Sequence, residues 1–136
     1  MQSQELIRAA AAVIRNGGWS QGTAARDAMG NEVPLFGGTR GDASRAGVNP
    51  EAVSFSIYGA LVKAMGAAGS GVADPGMMWE TLRRMSGVEH GVPAGGLNHV
   101  HSVITYNDGA DRTVEQVLSF LETCALTIEA KAEGGA

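Results

Sequence analysis

The chain has one cysteine, Cys124, so no disulfide can form within it. Aromatic residues make up only 5% of its 136 residues. No run of Lys and Arg occurs, and 10 basic residues face 14 acidic ones. Non-specific nucleic-acid binding draws its affinity from clustered cations, so that class is disfavoured. No apolar stretch approaches the ~18 residues a membrane helix needs. The start carries Glu5 and Arg8 where a signal peptide would be apolar. The glycines of "GAAGSGVADPG" have no Lys-Ser or Lys-Thr after them, and no serine sits in a Gly-x-Ser-x-Gly elbow. These absences predict a soluble cytoplasmic protein with no membrane partner and no familiar catalytic motif.

What the chain does have is glycine, twenty of them, and a thin supply of large apolar residues. Leu, Ile, Val and Phe total 28, about a fifth of the chain and near the lower end for a packed core. Six methionines are adaptable filler. The length fits one domain over residues 1–136, with 131–136 frayed. A thin core also suggests help from self-association, as a homo-oligomer.

Helix signals dominate. "SQELIRAAAAVIRN" places Leu6, Ile7, Ala10, Val13 and Ile14 on one face, with Ser3 as cap and Gly17-Gly18 as stop. Asn49-Pro50-Glu51 reads as the start of a second helix. In it, Gly59 costs roughly 1 kcal/mol against alanine and implies a backbone packed close by. Asp74-Pro75 opens a third, with Met78, Leu82 and Met85 inside and Gly87 ending it. Thr113 and Gln116 form a capping box before the stripe Val114, Val117, Leu118, Leu121, Ala125 and Ile128. The expected helices are roughly 3–16, 49–66, 74–86 and 113–130. "RDAMGNEV" reads as a turn with Gly30 or Asn31 at positive φ between short strands. The fold class is therefore mainly α, about four helices around one core with a small β-hairpin or short strand pair. The segment 97–106 stays open between strand and helix; its β-branched residues tilt it to strand.

His99 and His101 raise the question of a metal. On a strand they share a face, ~7 Å apart. With His90 and Asp108 they would complete a site for zinc or another divalent ion, whose bound water is a nucleophile near neutral pH. On a helix they diverge by about 200° and that site is lost. Tyr106-Asn107-Asp108-Gly109 reads as a self-capping turn with positive φ at Gly109, Arg112 pairing with Asp108 or Asp111. The alternative is a polar pocket of Tyr106, Asn107, Asp108 and Arg112. Trp19, with Gln21 beside it, is either a lid over the core or an anchor for a partner, and so is Trp79. Cys124 lacks a local base and reads as an inert small residue. The loop Phe36–Asn49 contains Arg40-Gly41-Asp42, whose adhesive meaning needs an extracellular protein.

Three stretches taken together are distinctive: "WSQG" at Trp19–Gly22, "GALVKA" at Gly59–Ala64, and Tyr106-Asn107-Asp108 followed by Arg112-Thr113. In this order the chain resembles an uncharacterised family of small proteins of bacteria and their phages. The resemblance covers most of the chain, with gaps in the glycine-rich loops. The family's aromatic before Asn-Asp is usually Trp, here Tyr106, and its middle helix often carries Cys where this chain has Ser56. The resemblance implies a bacterial or phage setting and no established activity. The expected function is a non-enzymatic protein-binding or regulatory module, its partner another protein or a second copy. The alternatives are a small metal-dependent enzyme built on the histidines, and a self-assembling structural protein.

Overall fold

Alanine and the i, i+3, i+4 apolar spacing make the first helix, α1 (Ser3–Asn16), which buries Leu6, Ile7, Ala10, Ala11 and Ile14. In chain order there follow β1 (Ala25–Arg26), β2 (Ser54–Phe55), α2 (Ile57–Ala67), α3 (Pro75–His90), α4 (His99–Asn107) and α5 (Val114–Glu133). The computed structural model describes residues 2–35, 49–67, 75–91 and 99–133. The fold is mainly α, and among these residues the sheet is one antiparallel pair, Ala25 opposite Phe55 and Arg26 opposite Ser54.

α2 is central. Ile57, Ala60, Leu61, Val62, Ala64 and Met65 are all buried, and α1 packs against both α2 and α5. Alanines 10, 60, 64 and 125 on these three helices are all buried. α5 adds Val117, Leu121, Cys124, Ala125 and Ile128, and α3 adds Leu82 and Met85. Polar links reinforce the packing. Thr81 Oγ donates to Ser3 Oγ at 3.0 Å inside the core, and Arg8 reaches Glu129 at 2.8 Å across α1 and α5. No helix among the described residues is long and apolar enough to cross a membrane.

Several expectations need correction. The segment tilted to strand is helical over 99–107, which brings the helices among the described residues to five. The cap before α1 is Gln2, whose N–H is taken by the Glu5 side chain; Ser3 is the first helical residue and is buried. Asn49 does not start a helix. Its Oδ1 accepts the Glu51 N–H and its Nδ2 donates to the Pro34 carbonyl, forming a side-chain-closed turn that returns the chain as β2. α2 starts eight residues later, behind Ser56, whose Oγ accepts the Gly59 N–H at 3.1 Å. α3 continues through Gly87 and stops at Gly91, which supplies the positive φ, +67°. α5 runs to Glu133, into the segment expected to fray, while 134–136 lie outside the described residues. So do Asp74, the Arg40-Gly41-Asp42 triplet, most of "GAAGSGVADPG", and Leu97 and Asn98 at the start of the 97–106 segment.

The turn at 27–31 forms as expected. Asp27 Oδ1 accepts the Met29 and Asn31 N–H groups, and Gly30 holds φ +84°. Arg26 bridges Glu32 there, but the main ladder of β1 is with β2, distant in sequence. Thr113 and Gln116 form the expected capping box at 3.0 and 3.2 Å.

Gly59 has the close backbone neighbour its sequence position implied: a Cβ there would collide with the Ala24 carbonyl. The Gly59→Ala variant should lose about 2–3 kcal/mol by overpacking, read as a lower urea midpoint with unchanged m-value. A second expectation concerns acid. Hydrogen bonds from Arg83 and Arg84 lower the Glu80 pKa from 4.5 to about 2. A depressed carboxylate stabilises above its unfolded value, and that contribution fades as pH falls from 4.5 towards 2. The site is more than a third exposed, so the effect is below ~1 kcal/mol. Glu80→Gln should flatten the acid limb of stability in that window and leave stability at pH 7 within about 1 kcal/mol.

Candidate functional site

The polar residues singled out in the sequence meet at one place, where the chain after α1 crosses the end of α4 and the start of α2. Gly17 and Gly18 stop α1 where the chain must pass beside β2. The Phe55 N–H bonds the Gly18 carbonyl and the Ser20 N–H bonds the Phe55 carbonyl, each at 3.0 Å. This docks Trp19-Ser20-Gln21-Gly22 on β2 and points the Trp19 indole at α4.

Asn107, the last residue of α4, receives it. Its side chain is 1% exposed. Oδ1 accepts the Trp19 indole N–H at 2.7 Å and the Ile57 backbone N–H at 3.0 Å. Nδ2 donates to the Ser20 carbonyl at 3.0 Å and to Asp108 Oδ1 at 2.8 Å. A side-chain amide has two donor hydrogens and two acceptor lone pairs, so its capacity is full. The pattern also fixes which end is oxygen, since one end meets two donors and the other two acceptors. The Ile57 N–H belongs to the first turn of α2 and has no partner within its helix. Ser56 caps Gly59 and its carbonyl takes Ala60, so Asn107 satisfies a group that the local cap cannot reach.

Neighbouring bonds extend this latch. Gln21 Nε2 donates to the carbonyls of Asn107 and Gly109 at 3.0 and 2.9 Å, closing the open end of α4. The Gly22 N–H bonds Asp108 Oδ1 at 3.0 Å, with Gly22 at φ +81°. Arg26 holds the Gln21 carbonyl at 3.0 Å. Arg112 departs from expectation. It does not pair with Asp108 or Asp111; its Nε donates to the Tyr106 carbonyl at 2.8 Å and its guanidinium lies 3.7 Å above the Tyr106 ring. A cation there also suits the negative end of α4. Gly109 does not need positive φ. A Cβ there would instead meet Arg112 Nη2 at 3.4 Å.

The histidines are not gathered. Because α4 is a helix, His99 and His101 diverge. His99 is 3% exposed and packs edge-on against Trp79, ring centroids 4.7 Å apart. His101 is exposed beside Thr105. His90, at the end of α3, lies 2.9 Å from Ser102 Oγ, which donates to Glu89 at 2.7 Å. Asp108 belongs to the latch. Among the described residues no group of three His, Cys, Asp or Glu is placed to hold a metal ion. Cys124 is fully buried, and burial, with Glu89 nearby, pushes its thiol up to about 12, so it carries no thiolate at neutral pH.

Two hollows flank the latch. A cleft of about 170 Å³ is lined by Thr23, Ser56, Tyr58, Ile104 and Asp108. A larger groove of about 520 Å³ lies between the end of α3 and α5, over Tyr106 and Phe120. Sequence reasoning missed Ser56, Glu89 and Ser102. Ser56, just before Ile57, Ala60 and Leu61 of α2, has the character of a cap; Asn49-Pro50 offered a stronger start signal and hid it.

The fold and its latch thus define a small α-helical domain whose polar signature closes it from within. The chain matches the model of the family of unknown function DUF6197 over residues 1–127 and belongs to that family. No curated protein and no solved structure matches it.

The Asn107→Ala variant strands the Ile57 N–H, the Ser20 carbonyl and the Trp19 indole together. It should lose roughly 3 kcal/mol or more, read by urea unfolding. Native-state fluorescence should show Trp19 released, as a difference that disappears when Trp19→Phe is added.

Proposed function

We propose that the protein is a small non-enzymatic protein-binding module working in the cytoplasm, with Trp79 as its anchor. The observation that carries this reading is the division of labour between the two tryptophans. Trp19 is bonded into the latch, whereas Trp79 is 53% exposed. An indole left in water forfeits much of the apolar burial it could gain, and tryptophan leads interface hot spots. Trp79 is also held. It stands edge-on against buried His99, so little side-chain freedom would be lost on binding. Next to it Glu80 joins Arg83 and Arg84 at 2.6 and 2.7 Å, a polar group in the position of a rim. The latch residues support the same reading, since Asn107 and Gln21 spend their hydrogen bonds inside the fold. The partner to seek is a bacterial or phage protein, the setting the sequence resemblance implies, or a second copy of the chain.

The test is site-specific photo-crosslinking in the native host, with a benzophenone amino acid at position 79 and a control at Leu126, itself 51% exposed. A discrete adduct from position 79 alone, competed by wild-type protein and not by Trp79→Ala, is the expected result. An adduct of twice the chain mass would identify the partner as self. Equal labelling at both positions, or none at 79, contradicts the reading. Against the purified partner, Trp79→Ala should weaken binding by about 2 kcal/mol or more.

A further inference from the structure

The groove beside the latch has a chemistry that the Trp79 reading does not use. Its floor is the Tyr106–Phe120 pair, ring centroids 4.2 Å apart. At one end stands Arg112, fixed by its Nε bond to the Tyr106 carbonyl and by stacking on the ring. Among the described residues its hydrogen bond is made through Nε, which leaves the terminal nitrogens on the groove side. It is half-buried, and among the described residues its charge is answered by the Tyr106 ring and the negative end of α4. A planar fork held in one orientation suits a carboxylate, which it can grip with two parallel bonds.

The other walls carry the opposite sign. Glu89 uses Oε1 for Ser102, at 2.7 Å, with His90 Nε2 3.5 Å from the same oxygen, and Glu115 lies on the α5 side. Ser119 and Thr123 also line it, further along α5 than Glu115. An anion alone would meet Arg112 and be repelled by the glutamates; a cation alone would meet the reverse. A ligand bearing both charges around an apolar body answers the whole lining. The groove is wide and open to solvent, with room of about 520 Å³.

We infer that this groove binds a dipeptide-sized zwitterion with an aromatic or large apolar side chain. The carboxylate lies on Arg112, the ammonium faces Glu89 and Glu115, and the side chain covers Tyr106 and Phe120. The site is separate from Trp79, so this assignment and the docking role stand or fall independently.

The experiment is an NMR titration of isotope-labelled full-length protein with glycyl-phenylalanine, its N-acetyl form and its C-terminal amide. Saturable shifts at the amides of 112–123 and at the Arg112 Nε–H are expected with the free dipeptide. Capping either end should weaken binding about tenfold, one charge-assisted contact being removed. Ser119→Trp, made at an exposed helix position, fills the groove and should abolish the shifts with the fold intact. Arg112→Gln should remove the preference for the free carboxylate over the amide. If that variant unfolds, the capped peptides and Ser119→Trp carry the test. No saturable shift up to on the order of 10 mM, equal affinity for all three peptides, or binding unchanged in Ser119→Trp overturns the assignment.

Discussion

The structure depends on one buried amide. Asn107 ends α4, starts α2 through the Ile57 N–H, and holds the crossing strand through Trp19 and Ser20. Each of those groups would cost about 1–3 kcal/mol if left buried and unpaired. No apolar residue can serve all of them. Aspartate could accept but could not donate, and it would add a charge beside Asp108. The helices bring their ends together by apolar packing, and the amide makes that meeting specific. A thin core gains most from such a device, because its packing alone discriminates less among compact arrangements.

The latch also accounts for the spacing of the sequence motifs. Trp19-Ser20-Gln21-Gly22 and Tyr106-Asn107-Asp108-Gly109 lie more than eighty residues apart, yet five hydrogen bonds join them. "GALVKA" joins them because Gly59 lets α2 come against the Ala24 backbone, two residues from the Ile57 N–H. These motifs hold the domain closed. Reactive chemistry is not what the spacing requires of them. Beyond them, the Trp79 side of α3 and the groove over Tyr106 face solvent.

Much of the helical frame was legible in the sequence because it rests on local rules. The α1 and α5 stripes, the Thr113 box, the turn at Gly30 and the close approach at Gly59 follow from periodicity, capping and sterics. The misreadings arise where distant contacts decide. Asn49-Pro50-Glu51 has the composition of a helix start, but Asn49 is claimed by Pro34 and Leu35 from another part of the chain. The segment 99–107 is rich in β-branched residues, yet it is helical with Val103 facing the core and His99 under Trp79. That choice separates His99 from His101. Arg112 showed a similar limit: sequence proximity suggested an aspartate, while geometry gave it a carbonyl and a ring. The turn at 106–109 was legible as a turn; its service to α2 and to Trp19 was not, because no local pattern records a partner fifty or eighty residues away.

If the amide governs the fold, the groups it holds cannot open on their own. Native-state hydrogen exchange of the Ile57 amide and the Trp19 indole N–H tests this most directly. The account predicts that both exchange only through global unfolding, with the same opening free energy as Leu61 and Leu121 in the core. Exchange of Ile57 and Trp19 through a local opening, with α2 and α5 still protected, would contradict it.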